Sequence, residues 1–120
     1  MLETGSNWIA SWLDRLDHKY EVSAGRLPLT MLPSEYFRRQ CVISADPDET
    51  MTAQIAEHIG PQYCIWASDY PHIDASLGVV PVLKRYIASL PESDQRLILG
   101  ENALRFYGLE VPKRAAATQP

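Results

Sequence analysis

No stretch of the 120 residues is apolar for long enough to span a bilayer, and the amino end, Met1 to Asn7, carries a glutamate and no apolar core. Neither a membrane anchor nor a signal peptide is expected, which makes the cytoplasm the default compartment. Positive charge is in deficit: 11 Lys and Arg stand against 15 Asp and Glu, for a formal net charge of -4. That balance argues against nucleic acid or an anionic membrane surface as a partner. Cysteine is scarce, and Cys41 and Cys64 form no Cys-x-x-Cys pair. Both fall in stretches expected to be strands, where a thiol acts as a small buried hydrophobe more often than as a disulfide or metal ligand. Internal repeats are absent, and the only biased tract is the tail, Pro112 to Pro120, which is expected to be disordered. Residues 1–111 are expected to form part of one domain.

What is present centres on Tyr63 to Asp74, Tyr-Cys-Ile-Trp-Ala-Ser-Asp-Tyr-Pro-His-Ile-Asp. An apolar run rich in β-branched and aromatic residues reads as a buried strand from Tyr63 to Ser68, and it ends in carboxylate, phenol and imidazole. In barrels and open sheets of parallel strands, ligands bind at the carboxyl ends, which is where Asp69 stands. A period of two would put Ile65, Ala67 and Asp69 on one face, with Cys64, Trp66 and Ser68 on the other.

The rest of the chain alternates around this strand. Trp8, Ile9, Trp12, Leu13 and Leu16 recur at helical spacing opposite Asp14, Arg15, Asp17 and Lys19, so an amphipathic helix is expected from Asn7 to about Tyr20, with both tryptophans inward. Glu21 to Ser34 reads as a loop, and Gln40 to Ser44 as a short buried strand. Asp46 then offers an N-cap, Pro47 a first helical residue and Glu49 the returning side of a capping box, for a helix to about Ile59 with Met51, Ile55 and Ile59 inward. A helix from Gly78 to Ser89 is expected to face Val79, Val80, Leu83, Tyr86 and Ile87 inward. Two shorter helices, Glu92 to Leu99 and Glu101 to Tyr107, are separated by Gly100. This βαβα order is that of a parallel α/β sheet, but two buried-type strands leave both sheet edges open.

Five segments carry a family resemblance: Leu-Glu-Thr-Gly-x-x-Trp at 2–8, Trp-Leu-Asp-Arg-Leu-Asp at 12–17, Pro-Ser-Glu-Tyr-Phe-Arg-Arg-Gln-Cys at 33–41, Ala-Ser-Asp-Tyr-Pro-His at 67–72 and Gly-Glu-Asn-Ala-Leu-Arg-Phe-Tyr-Gly-Leu at 100–109. Together they resemble the carboxyl-terminal part of amidohydrolase-related proteins, the metal-dependent hydrolase branch that includes aminocarboxymuconate-semialdehyde decarboxylase. The resemblance implies part of a (β/α)8 barrel, about strands six to eight with their helices, incomplete by itself. It places Leu2 to Gly5 at the end of strand six, Gln40 to Ser44 in strand seven and Tyr63 to Ser68 in strand eight. One divalent metal, usually zinc, is implied, with Asp69 matching the aspartate that binds it or takes a proton from the water it activates. The chain lacks the family's His-x-His of strand one and the histidine of strand five, so it offers one matched ligand where a metal needs three or four.

Other candidates carry two readings. His72 could orient substrate, or it could pack on Tyr70 at the surface. Asp74 reads as a cap, His18 and His58 as solvated helix residues, and Arg38 and Arg39 as partners in structural ion pairs. Glu3 would face the functional side if strand six ends there, and Asn102 is expected to bond neighbouring backbone. The implied chemistry on a small-molecule substrate is hydrolysis or non-oxidative decarboxylation, with the chain inactive alone. The alternatives are a non-catalytic interaction module forming a homo-oligomer, or a half-barrel completed by an amino-terminal partner.

Overall fold

In the computed structural model the described residues are 4–73 and 78–110. Glu3, Asp74 and the tail, and most of the expected strand-six end, fall outside them. Helix α1 spans Ile9–Val22 and helix α2 Pro33–Gln40. Strand β1 is Ile43–Ala45, followed by helix α3, Thr52–Ile59. A 3-10 turn, Pro61–Tyr63, leads into strand β2, Cys64–Trp66. Helices α4 (Val80–Tyr86), α5 (Glu92–Arg96) and α6 (Asn102–Tyr107) complete the order. No helix among these is long and apolar enough to cross a membrane.

The two strands pair in parallel, Ile43 with Cys64, Ser44 with Ile65 and Ala45 with Trp66. A parallel pair needs a crossover, and α3 supplies it. Ile43 and Cys64 pack into a helical core with Ile9, Leu13, Phe37, Ile55, Ile59, Leu83, Ile87 and Ile98. Val42 and Ile65 are also buried but stand outside that cluster. The period-two alternation is therefore visible: one sheet face meets the helices, and Val42, Ser44 and Ile65 form the other.

Several expectations shift. Helix α2 fills the stretch between the expected loop, Glu21 to Ser34, and the expected strand, Gln40 to Ser44. Pro33 at its first position and Glu35, whose carboxylate accepts from Leu32 N–H at 2.8 Å, start a helix despite Leu at the N-cap. Asp17 holds it against α1 by accepting from Ser34 N–H at 2.8 Å. Asp46 and Glu49 do close on one another, with Asp46 N–H donating to Glu49 Oε2 at 3.1 Å, but they close a turn, and α3 begins only at Thr52. Glu49 is held by the segment around Ser6, which keeps this turn off the helix axis. Met51 is consequently outside the helix and 49% exposed. Trp12 is 52% exposed, against the expected two-tryptophan stripe, while Ile9 and Leu13 carry the burial of α1. Val80 also faces outward. Gly100 does separate two helices, as expected: its backbone is non-helical, with φ 178°, and it kinks the run Leu97–Glu101 between α5 and α6.

Candidate functional site

Asp46 follows β1 directly and Asp69 lies three residues beyond β2, so the parallel pairing puts both carboxylates at one end of the sheet. Asp69 adopts a left-handed backbone, φ 59°, which a non-glycine residue reaches at some cost and Asp better than most. The turn places its side chain 51% exposed, with Oδ2 3.2 Å from Nδ1 of His72, itself 65% exposed. His72 N–H donates back to Asp69 O at 2.8 Å, closing the turn through Tyr70 and Pro71. His72 is an exposed residue whose imidazole touches the Asp69 carboxylate. Asp69 and His72 thus form an accessible carboxylate–imidazole pair.

Around Asp46 the field is negative. Partial burial first, then the charges of Glu49, Asp48 and Asp69, push its carboxyl above the usual value of 3.8. Glu49 is the organising group of this edge. Its carboxylate accepts from Ser6 N–H at 2.9 Å, Ser6 Oγ at 2.7 Å, Asn7 N–H at 3.2 Å and Asp46 N–H at 3.1 Å. Gly5 lies directly against it, with φ 62°, where an added Cβ would fall 2.6 Å from Glu49 Oε1. Glu49 therefore ties the loop before α1 to the loop after β1. Sequence reasoning assigned Asp46 and Glu49 only to helix capping. Their position at the carboxyl end of a strand, the same argument applied to Asp69, was the signal available.

The remaining candidates are placed as follows. His18 and His58 are exposed on α1 and α3. Arg38 and Arg39 form no ion pairs among the described residues; Arg38 donates to Ile59 O at 3.4 Å and Ser34 Oγ at 3.2 Å, and Arg39 lies over the Tyr36 ring at 5.0 Å. Asn102 bonds distant rather than neighbouring backbone, donating to Pro61 O at 2.8 Å and Cys64 O at 2.7 Å. Its own Oδ1 accepts from Arg105 at 3.0 Å. Asn102 fastens the last helix to the start of β2, the strand that carries Asp69. Trp66 adds a second tie, Nε1–H to Leu99 O at 3.2 Å.

A carboxylate oxygen and an imidazole nitrogen are both metal-type donors, but among the described residues no group of three or more His, Cys, Asp or Glu could hold a metal ion. The donor set present here does not complete a metal centre.

Two solved structures resemble this arrangement. An amidohydrolase from Mycobacterium avium subsp. paratuberculosis K-10 superposes with a TM-score of 0.72 at 25% identity, over 88% of this chain and 26% of its own. The 5-carboxyvanillate decarboxylase LigW from Sphingomonas paucimobilis superposes at 0.64 and 28% identity, over 86% of this chain and 31% of its own. The chain thus spans about a quarter to a third of the length of these structures. No curated protein matches it. The mixed helix and strand architecture matches part of these amidohydrolase barrels, and the Amidohydrolase family model matches residues 6–109, so the chain belongs to the amidohydrolase family.

Proposed function

We propose that this chain forms the strand-seven and strand-eight section of a metal-dependent amidohydrolase-type (β/α)8 enzyme, and that Asp69 is its contribution to the active centre. The observation that carries the reading is the exposed Asp69–His72 pair at the carboxyl end of β2, beside Asp46 at the carboxyl end of β1. The family generally uses a divalent metal, and such an ion, zinc by resemblance, would supply Lewis acidity toward water or toward a substrate carboxylate. Asp69 offers an oxygen for that ion or accepts a proton, and His72 fixes the orientation of its carboxylate from 3.2 Å. Asn102, Trp66 and Glu49 hold the strand ends that aim these groups.

The remaining metal donors would come from polypeptide beyond the described residues, and the chain alone would be inactive. The substrate class is a small amide, lactone or aromatic carboxylate, the last favoured by the decarboxylase neighbour. The test is to purify the assembly containing this chain from its source cells and assay it on such a panel. Turnover should fall by about 10²-fold or more in Asp69→Asn, with the assembly unchanged in size. Full activity in Asp69→Asn would overturn the assignment.

The two outer edges of the β1–β2 pair favour a second reading, in which separately made chains complete the barrel. It predicts that an amino-terminal half, co-expressed, co-purifies with this chain.

A further inference from the structure

At the amino ends of β1 and β2, opposite to Asp69, lies a cleft of about 530 Å³ lined by Arg38, Arg39, Cys41, Gln62, Tyr63 and Arg105 among others. Its chemistry runs against that of the chain. The whole sequence carries a net charge of -4, yet three guanidiniums line this cleft and no carboxylate does. Nor are these arginines neutralised elsewhere: among the described residues none of the three makes an ion pair, while Arg96 does, to Glu92 and Glu101. Their partners are uncharged. Arg38 is held by Ile59 O and Ser34 Oγ, Arg105 by Gln62 O at 2.6 Å and Asn102 Oδ1, and Arg39 by the Tyr36 ring.

The plain alternative is that arginines in last helical turns serve the helix dipoles. Magnitudes decide against that as the whole account. The carboxyl ends of α2 and α6 contribute about half a negative charge each, which leaves the three cations in excess by about two charges. Most of the N–H donors on the three forks remain for a ligand, and the forks are already positioned by their uncharged partners. A volume in the range of small-molecule sites, lined by three arginines, suits a compact polyanion. We infer that this cleft is an anion site for a small molecule carrying two or more negative charges on phosphoryl or carboxyl groups. The site is distinct from the edge that carries Asp69 and does not depend on the function proposed for it.

The test titrates the full chain with inorganic pyrophosphate and with citrate by calorimetry, at fixed ionic strength. Saturable one-site binding is expected for at least one of the two, and which one binds tells phosphoryl from carboxyl recognition. Affinity should fall about tenfold in Arg39→Gln, which removes no hydrogen bond within the fold, and stay unchanged in Arg15→Gln, an equal loss of charge on α1. A second readout needs no variant: the bound anion should slow alkylation of Cys41 by the neutral reagent iodoacetamide. Absence of saturable binding by both anions, equal weakening in the two variants, or unprotected Cys41 at saturation would overturn the site.

Discussion

Asn102 Nδ2 donates to Cys64 O at 2.7 Å across 38 residues of chain, and the side chain is completely buried. The same amide group also serves Pro61 O at 2.8 Å. One side chain therefore satisfies two carbonyls at the entrance to β2. Asn102→Ala should cost about 2–4 kcal/mol, because buried acceptors are left without donors. Asn102→Asp should cost at least as much, since a carboxylate brings no N–H to those carbonyls. Urea denaturation checks both, and a loss below about 1 kcal/mol in either would contradict the clamp.

Gly5 and Glu49 give a second, separable test. Gly5→Ala must accommodate both a φ of 62° and a Cβ 2.6 Å from Glu49 Oε1, whereas Gly25→Ala, at φ 81°, meets nothing within 4 Å. Backbone strain alone is worth about 1–2 kcal/mol. Gly5→Ala should therefore destabilise by more than Gly25→Ala, the difference measuring the displaced Glu49 carboxylate. Equal losses would mean that Glu49 moves aside without cost.

Much of this arrangement was legible in the residues. The run Tyr63 to Ser68 contains β2, the apolar run at 40–44 overlaps β1, and Asp69 sits at the carboxyl end where parallel-strand rules put function. Elements misread were those decided by long-range contacts. Asp46-Pro47-Asp48-Glu49 has the local chemistry of a helix start, but Glu49 is claimed by Ser6 and Asn7, more than forty residues away. The exposure of Trp12 could not be read from a helical period that fits Trp12 as well as Leu13. Asn102 likewise looked local, because nothing in sequence spacing links it to Cys64.

The two thiols should react differently. Burial pushes the Cys64 thiol up to about 12, and the residue is 1% exposed, so almost no reactive thiolate exists at pH 8. Cys41 is only half-buried. A maleimide added to the native chain at pH 8 should label one cysteine, identified by peptide mass as Cys41, and both after denaturation. Rapid native labelling of Cys64 would contradict the packing of β2.

Asp46 imposes a pH dependence of defined sign. Its folded pKa lies above the ordinary 3.8, so between these values the folded chain holds more proton than the unfolded one. The group's stabilising contribution is present below 3.8 and is lost as pH rises through the folded value. Asp46→Asn should therefore be the more stable protein at neutral pH, by a small margin given the exposure of the site, and the advantage should vanish below pH 3.8. Denaturation midpoints at several pH values check this; an advantage that grows on acidification would have the wrong sign.

The central claim, that Asp69 belongs to a metal centre completed by residues beyond those described, is tested most directly by metal analysis. The assembly containing this chain, purified without chelators, would be measured for bound divalent metal per barrel as wild type and as Asp69→Asn. The account predicts about one ion per barrel in the wild type and a clear loss in the variant, of the order of tenfold or more in affinity, with the assembly intact. Undiminished metal and activity in Asp69→Asn would contradict it.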